Sequence, residues 1–194
     1  MIVAGKLKLS LYHNILLTVE YSNKIIEDIL PNFKWAIRAD YDRYKNHVYR
    51  VFLNCLLIDC EKNNEEKYAI AAVFHDIGIW TNHTFDYLYF SIEQAKIYLT
   101  EINKKDWIDE ISLMIYWHHK MTRYQGMHEG IVENFRKADL IDVSLALLTF
   151  KFDKKKINEN RRNFPNAGFH VFLIKETLKN LFKHPLNPLP IFRK

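Results

Sequence analysis

The stretch "AAVFHDIGIW", Ala71 to Trp80, is a run of small and apolar residues suited to a core, yet it carries an imidazole and a carboxylate side by side before a glycine. Polar side chains occupy buried helix positions only where something offsets the cost of taking them out of water. Upstream of His75, a helix is expected from about Glu65, with Ala69, Ala72, Val73 and Asp76 along one face and Gly78 placed to break it. His75 and Asp76 therefore close a buried helix at its C-terminal end. What they do there depends on which other residues reach the same point.

The chain has 194 residues, 48% of them apolar and 26% charged, which suits one globular domain over residues 1–194 with a core of ordinary size. Five Gly and five Pro leave long uninterrupted segments and favour helices. No run approaches the roughly 18 to 20 apolar residues of a membrane span. The apolar run after Lys6 and Lys8 is broken too early, by Tyr12, His13 and Asn14, for a signal peptide. Cys55 and Cys60 lie on one expected helix facing different ways, so no disulfide is assigned and a cytoplasmic location is expected. The net charge of +5 comes from late clusters, "KFDKKK" at 151–156, "RR" at 161–162 and the closing "FRK". Short lysine runs are usually solvated helix ends, so neither nucleic acid nor a membrane is the expected partner.

Helical spacing is expected over about Leu9 to Leu30, through Ile15, Val19, Ser22, Ile26 and Ile29, ending before Pro31. A second helix, about Asp40 to Glu61, has an apolar face of His47, Val48, Val51, Phe52, Cys55 and Leu56, so His47 points inward. After the helix that ends at His75 and Asp76, a fourth is expected from Ser91, capped with Gln94, to Glu101. A fifth covers about Lys105 to Lys120, its apolar stripe of Ile108, Ile111 and Ile115 ending in His118. In "GIVENFRKADLIDVSLALLTF", Phe135, Asp139, Asp142 and Ala146 share a face, which places two carboxylates where core residues belong. The segment from Lys154 to Pro165 reads as a loop. A last helix, about Gly168 to Phe182, uses Val171, Ile174, Leu178 and Leu181, before the tail "HPLNPLPIFRK". With no alternating strand or repeat, the expected class is an all-α, single-domain bundle of about six to seven helices.

His47, His75, Asp76 and Asp139 all point inward, and a buried unpaired carboxylate costs several kcal/mol. A single divalent cation satisfies all four. The mixed nitrogen and oxygen donors suit Mn, Fe, Co, Ni or Zn and do not choose among them.

The order of these residues, with "NHVYR" at 46–50, "AAVFHDIG" at 71–78 and "KAD" at 137–139, resembles the HD superfamily of metal-dependent phosphohydrolases, over about Tyr41 to Ala146. The resemblance implies a helical bundle around a metal held by His47, His75, Asp76 and Asp139, the last because the family's ligand follows an alanine. Asp142 then orients a ligand from behind. It further implies hydrolysis of a phosphate ester of a small phosphorylated metabolite such as a nucleotide, by a phosphomonoesterase or phosphodiesterase, with Asp76 both binding metal and taking a proton from water. Several relatives carry a Glu shortly after the dipeptide, where this chain has Ile79, so His83, Asp86, His118 and His119 are the candidate replacements. His83 and His118 are expected in catalytic roles and Asp86 and His119 as substrate contacts. Tyr44 and Arg50, one turn either side of His47, are expected at the pocket mouth, where they and Asp142 would meet substrate. Arg161 and Arg162 could clamp a phosphate from an exposed loop.

Two other functions fit the same residues: a di-iron HD-type oxygenase, using His83 and His118 as extra ligands, and a non-enzymatic regulatory module stabilised by metal. A homodimer through helix faces is compatible with the composition, though no surface stripe demands one.

Overall fold

The structure, a computed structural model, describes residues 21–59, 61–84 and 86–183. Ile15, Val19, Cys60 and the tail from His184 lie outside the described residues. Only the end of the first expected helix is described. It is α1, Lys24–Ile29, started by Asn23, whose Oδ1 accepts from the amides of Ile25 and Ile26 at 3.0 and 3.2 Å. A 3₁₀ turn over Leu30–Phe33 leads to α2, Lys34–Ile37, and a second over Arg38–Asp40 to α3, Tyr41–Ile58. Along α3, Tyr44, His47, Val48, Val51, Phe52 and Cys55 are buried, the face that helical spacing indicates.

The central element is α4, Glu65–Phe74, in which every residue from Tyr68 to Phe74 is buried. Three of these are alanines, and their small side chains let α4 lie against α1, α3 and two later helices at once. It ends at Phe74, before Gly78, and Gly78 instead opens the short helix α5, Gly78–Thr81. The glycine is needed for close approach: a Cβ there would stand 2.6 Å from the carbonyl oxygen of Tyr87. The Gly78 amide also donates to Ser91 Oγ at 3.0 Å. Ser91 is therefore a buried anchor inside α6, Leu88–Glu101, and not the cap that Ser91 and Gln94 suggest.

A 3₁₀ turn over Lys105–Trp107 precedes α7, Ile108–Trp117, which packs on α4 and α6. The loop after it is tied to α8, Glu129–Val143, by Arg136, which donates to Glu133 and to the Lys120 carbonyl. α8 packs along α3 and brings Phe135, Asp139 and Asp142 inside. The expected loop from Lys154 to Pro165 is a helix over most of its length: α9, Lys154–Asn163, is capped by Asp153 accepting from Lys155 and Lys156. Its one buried residue, Ile157, leaves no apolar period to read. The last helix, α10, is Phe169–Lys183, but its expected inner stripe is turned outward. Val171, Ile174, Leu178 and Leu181 are exposed, while Phe169, Phe172 and Leu173 pack on the core. Among the described residues there is no strand, and no helix is long and apolar enough to cross a membrane.

Candidate metal centre

Four helices deliver polar side chains to one point. His47 comes from the middle of α3, His75 and Asp76 from the end of α4, His118 and His119 from the end of α7, and Asp139 from α8. His47, His75, His118 and Asp139 are fully buried and Asp76 nearly so.

Backbone carbonyls and one carboxylate decide where the imidazole protons go. His75 Nδ1 lies 2.8 Å from the Ala72 carbonyl and His118 Nδ1 2.6 Å from that of Ile115. A carbonyl only accepts, so both Nδ1 atoms carry hydrogen and both Nε2 atoms of the neutral rings present a lone pair. His47 Nδ1 donates to Asp142 Oδ2 at 2.7 Å, so its Nε2 does the same. The Nε2 atoms of His47 and His75 nevertheless face each other at 2.9 Å. Two facing lone pairs repel unless a positive charge sits at them. Two nitrogens each about 2.1 Å from one cation, at right angles, stand about 3 Å apart, which is the separation seen.

The carboxylates add to the deficit of positive charge. Asp139 Oδ1 is 3.6 Å from His47 Nε2 and 3.8 Å from His75 Nε2, and both Asp139 oxygens are buried without a hydrogen-bond partner. Asp76 Oδ2 lies 3.3 Å from His75 Nε2 and 3.6 Å from His47 Nε2. Buried acceptors are almost always satisfied, so an orphaned carboxylate facing two imidazole lone pairs is a cation's donor set. The residues present fit a divalent metal: His47, His75 and Asp139, and beside them His75, Asp76 and His118, form groups that could hold one.

A comparison with sequence families matches residues 44–161, more than half of the chain, to the HD domain. The chain belongs to the HD domain family. Comparisons with curated proteins and with solved structures each found no match. HD domains are mostly metal-dependent hydrolases that bind divalent metals, and the buried His and Asp groups of this one could hold such an ion.

Titration reflects the same balance. Burial pushes the Asp139 carboxyl up, and nearby His118, His47 and His75 restore it only in part. Burial acts on Asp76 in the same sense, but His75, His118 and His47 overcome it and hold that carboxyl well below its ordinary range. On His47, burial opposes the charged form, yet hydrogen bonds to Asp142 and Asp76 outweigh it and push the pKa up to about 9.

Of the remaining expected site residues, His118 and His119 reach the centre. His118 Nε2 is 3.3 Å from Asp76 Oδ1, and His119 Nδ1 is 3.8 Å from Asp139 Oδ2. His83 and Asp86 are exposed and stand outside the converging His and Asp groups. His83 has a left-handed backbone, φ 52°, in the loop that separates α5 from α6. Tyr44 and Arg50 are corrected from pocket mouth to interior. Tyr44 donates to the Val73 carbonyl at 2.8 Å, fully buried, and Arg50 holds Asp142 through Nε at 2.6 Å and Nη2 at 2.9 Å. Asp142 is 1% exposed and spends both oxygens on His47 and Arg50, which places it behind His47 and not at a pocket mouth. Arg161, on α9, reaches within 3.5 Å of Asp142 Oδ1, while Arg162 is exposed.

Tyr87 is the site residue that sequence reasoning missed. Its hydroxyl donates to Asp76 Oδ1 at 2.5 Å and also meets His119 Nε2. In "FDYLYF" it looks like one aromatic among four, and nothing in the local pattern marks it from the others.

Proposed function

We propose that this HD domain is a metal-dependent phosphohydrolase, cleaving a phosphate ester of a small phosphorylated metabolite of the nucleotide class. The reading rests on one observation: the buried His47 and His75 Nε2 atoms meet at 2.9 Å beside an Asp139 carboxylate whose two oxygens have no hydrogen-bond partner. The chemistry a divalent cation supplies when bound is Lewis acidity toward water and a phosphoryl oxygen. Asp76 divides its two oxygens. Oδ2 faces the imidazoles of His47 and His75, while Oδ1 accepts from Tyr87 and lies beside His118, a position from which a proton taken from water can be held. His118 and His119 fill the place of the Glu that Ile79 replaces and are the groups that would face the ester. Tyr44 and Phe135 pack against the His75 imidazole, with Trp80 behind Tyr44, and this apolar wall strengthens every charge interaction inside.

The arrival of His118 and His119 at the centre also favours a second reading, the di-iron oxygenase, because that chemistry needs further imidazoles near the first ion. Metal content of protein purified without chelator separates the two: one divalent ion per chain for the hydrolase, two irons for the oxygenase. Turnover of p-nitrophenyl phosphate and a nucleotide panel with Mn²⁺, Co²⁺ or Ni²⁺ then tests the hydrolase directly. His75→Ala is expected to lose both the metal and the activity, and Lys155→Ala neither. Turnover retained in His75→Ala refutes the assignment.

A further inference from the structure

The HD match ends at residue 161, but the chain beyond it returns to the same centre. Phe169, the first residue of α10, is fully buried and its ring lies nearly flat on the His47 imidazole, 4.1 Å between centroids with 20° between planes. The segment that leads to it is held against α3. Phe164 stacks on Tyr49 at 4.4 Å, and the Pro165 carbonyl accepts from Asn46 at 2.8 Å.

Arg50 joins this segment to the back of the metal centre. Its Nε and Nη2 take both oxygens of Asp142, while Nη1 donates to the carbonyls of Phe164 and Pro165 at 3.0 and 3.2 Å. One planar guanidinium thus fixes a carboxylate on one edge and the post-family chain on the other, a geometry that an ammonium cannot reproduce. Asp142 in turn accepts the Nδ1 hydrogen of His47, which leaves the Nε2 lone pair facing His75 and Asp139.

We propose that Arg50 and Phe169 are positioning residues of the metal centre, and that cation affinity therefore depends on the chain beyond the HD match. Arg50 holds Asp142 so that His47 keeps its hydrogen on Nδ1, and Phe169 fixes the plane of the ring. The inference rests on the reading of His47 as a metal ligand. Groups behind a ligating histidine set its tautomer and basicity, and removing them typically weakens metal binding about 10- to 100-fold.

The test is equilibrium titration of the full chain with Co²⁺, whose visible absorption reports the geometry of its ligands, for the unaltered protein, Arg50→Lys, Phe169→Leu and Lys155→Ala. Melting in chelator is followed in parallel. Arg50→Lys and Phe169→Leu are expected to raise the Kd about 10- to 100-fold with a changed Co²⁺ spectrum, and Lys155→Ala to match the unaltered chain. Phe169→Leu carries the test alone if Arg50→Lys does not fold. A purely structural role predicts lower melting in chelator with unchanged Kd and spectrum, and that result overturns the proposal. Absence of Co²⁺ binding in the unaltered chain instead overturns the metal reading beneath it.

Discussion

Asp139→Asn removes the charge of a buried carboxylate that has no hydrogen-bond partner, and it is expected to act in opposite directions with and without metal. In chelator the ionised carboxylate is a liability, because burial disfavours its charged form more than the neighbouring imidazoles favour it. Removing an unpaired charge from a buried acceptor is worth about 1–3 kcal/mol, and at about 2–4 °C per kcal/mol for a chain of this size the variant melts roughly 2–12 °C higher. The sign follows from linkage. A carboxyl whose folded pKa is raised destabilises the fold above that pKa and has no effect below the unfolded value, so the gain is full at neutral pH and fades as pH falls through the carboxylate range. With a divalent ion at 100 times its Kd, the unaltered protein gains about 2.7 kcal/mol, or roughly 5–11 °C, and the variant gains none. The two melting curves therefore change order between chelator and metal. Scanning fluorimetry at neutral pH with EDTA, and then with Mn²⁺ or Co²⁺, reads this directly. An Asp139→Asn protein that melts lower in EDTA, or that keeps the metal-induced shift, refutes the account of the centre.

Tyr87→Phe takes a hydroxyl from Asp76 Oδ1 and should cost about 1.5–3 kcal/mol, the worth of a hydrogen bond to a charged group, measured by denaturant melting, while the metal content stays near that of the unaltered chain. Gly78→Ala places a methyl 2.6 Å from the Tyr87 carbonyl, so about 1–3 kcal/mol of overpacking is expected, together with weaker metal binding through the displaced Asp76; unchanged melting contradicts the close approach. His47, with its pKa raised to about 9, stabilises the metal-free fold fully below about pH 6.5, a contribution lost as pH rises through about 9. Metal binding at pH 7.5 should therefore release protons, measurable by calorimetry in buffers of different ionisation enthalpy, and a buffer-independent heat contradicts it.

Much of the centre was legible in the sequence because its residues interrupt apolar periodicity. His47 sits in the face of Val48, Val51 and Cys55, Asp139 in that of Phe135 and Asp142, and His118 ends the stripe of Ile111 and Ile115. Such interruptions show in one dimension. Contacts between segments do not, which is why Arg50 reads as a residue of the pocket mouth, and Tyr87 is passed over, until α8 and α5 are in place. The direction of α10 is hidden for a related reason. The helix carries an aromatic edge at Phe169 and Phe172 and an aliphatic one at Ile174 and Leu178, and only the site onto which it docks selects between them. α9 is held by the cap at Asp153 and a single buried Ile157, too little apolar pattern to separate from a loop.

The three buried imidazoles also differ in how their tautomers are set, and the difference explains why the centre needs help from behind at one place only. His75 and His118 are the C-caps of α4 and α7, where the last carbonyls of a helix have no amide partner within it. Each ring gives its Nδ1 hydrogen to the carbonyl three residues back, so the helix end itself orients Nε2. His47 stands in the middle of α3, where every nearby carbonyl is already taken by the helical ladder. Its acceptor must come from another element, and Asp142 of α8 supplies it. A carboxylate buried for that purpose needs a counter-charge of its own, which Arg50 provides from one turn further along α3. The chain of Arg50, Asp142 and His47 is thus the cost of taking an imidazole of the centre from a helix interior, whereas imidazoles at helix ends need no such support.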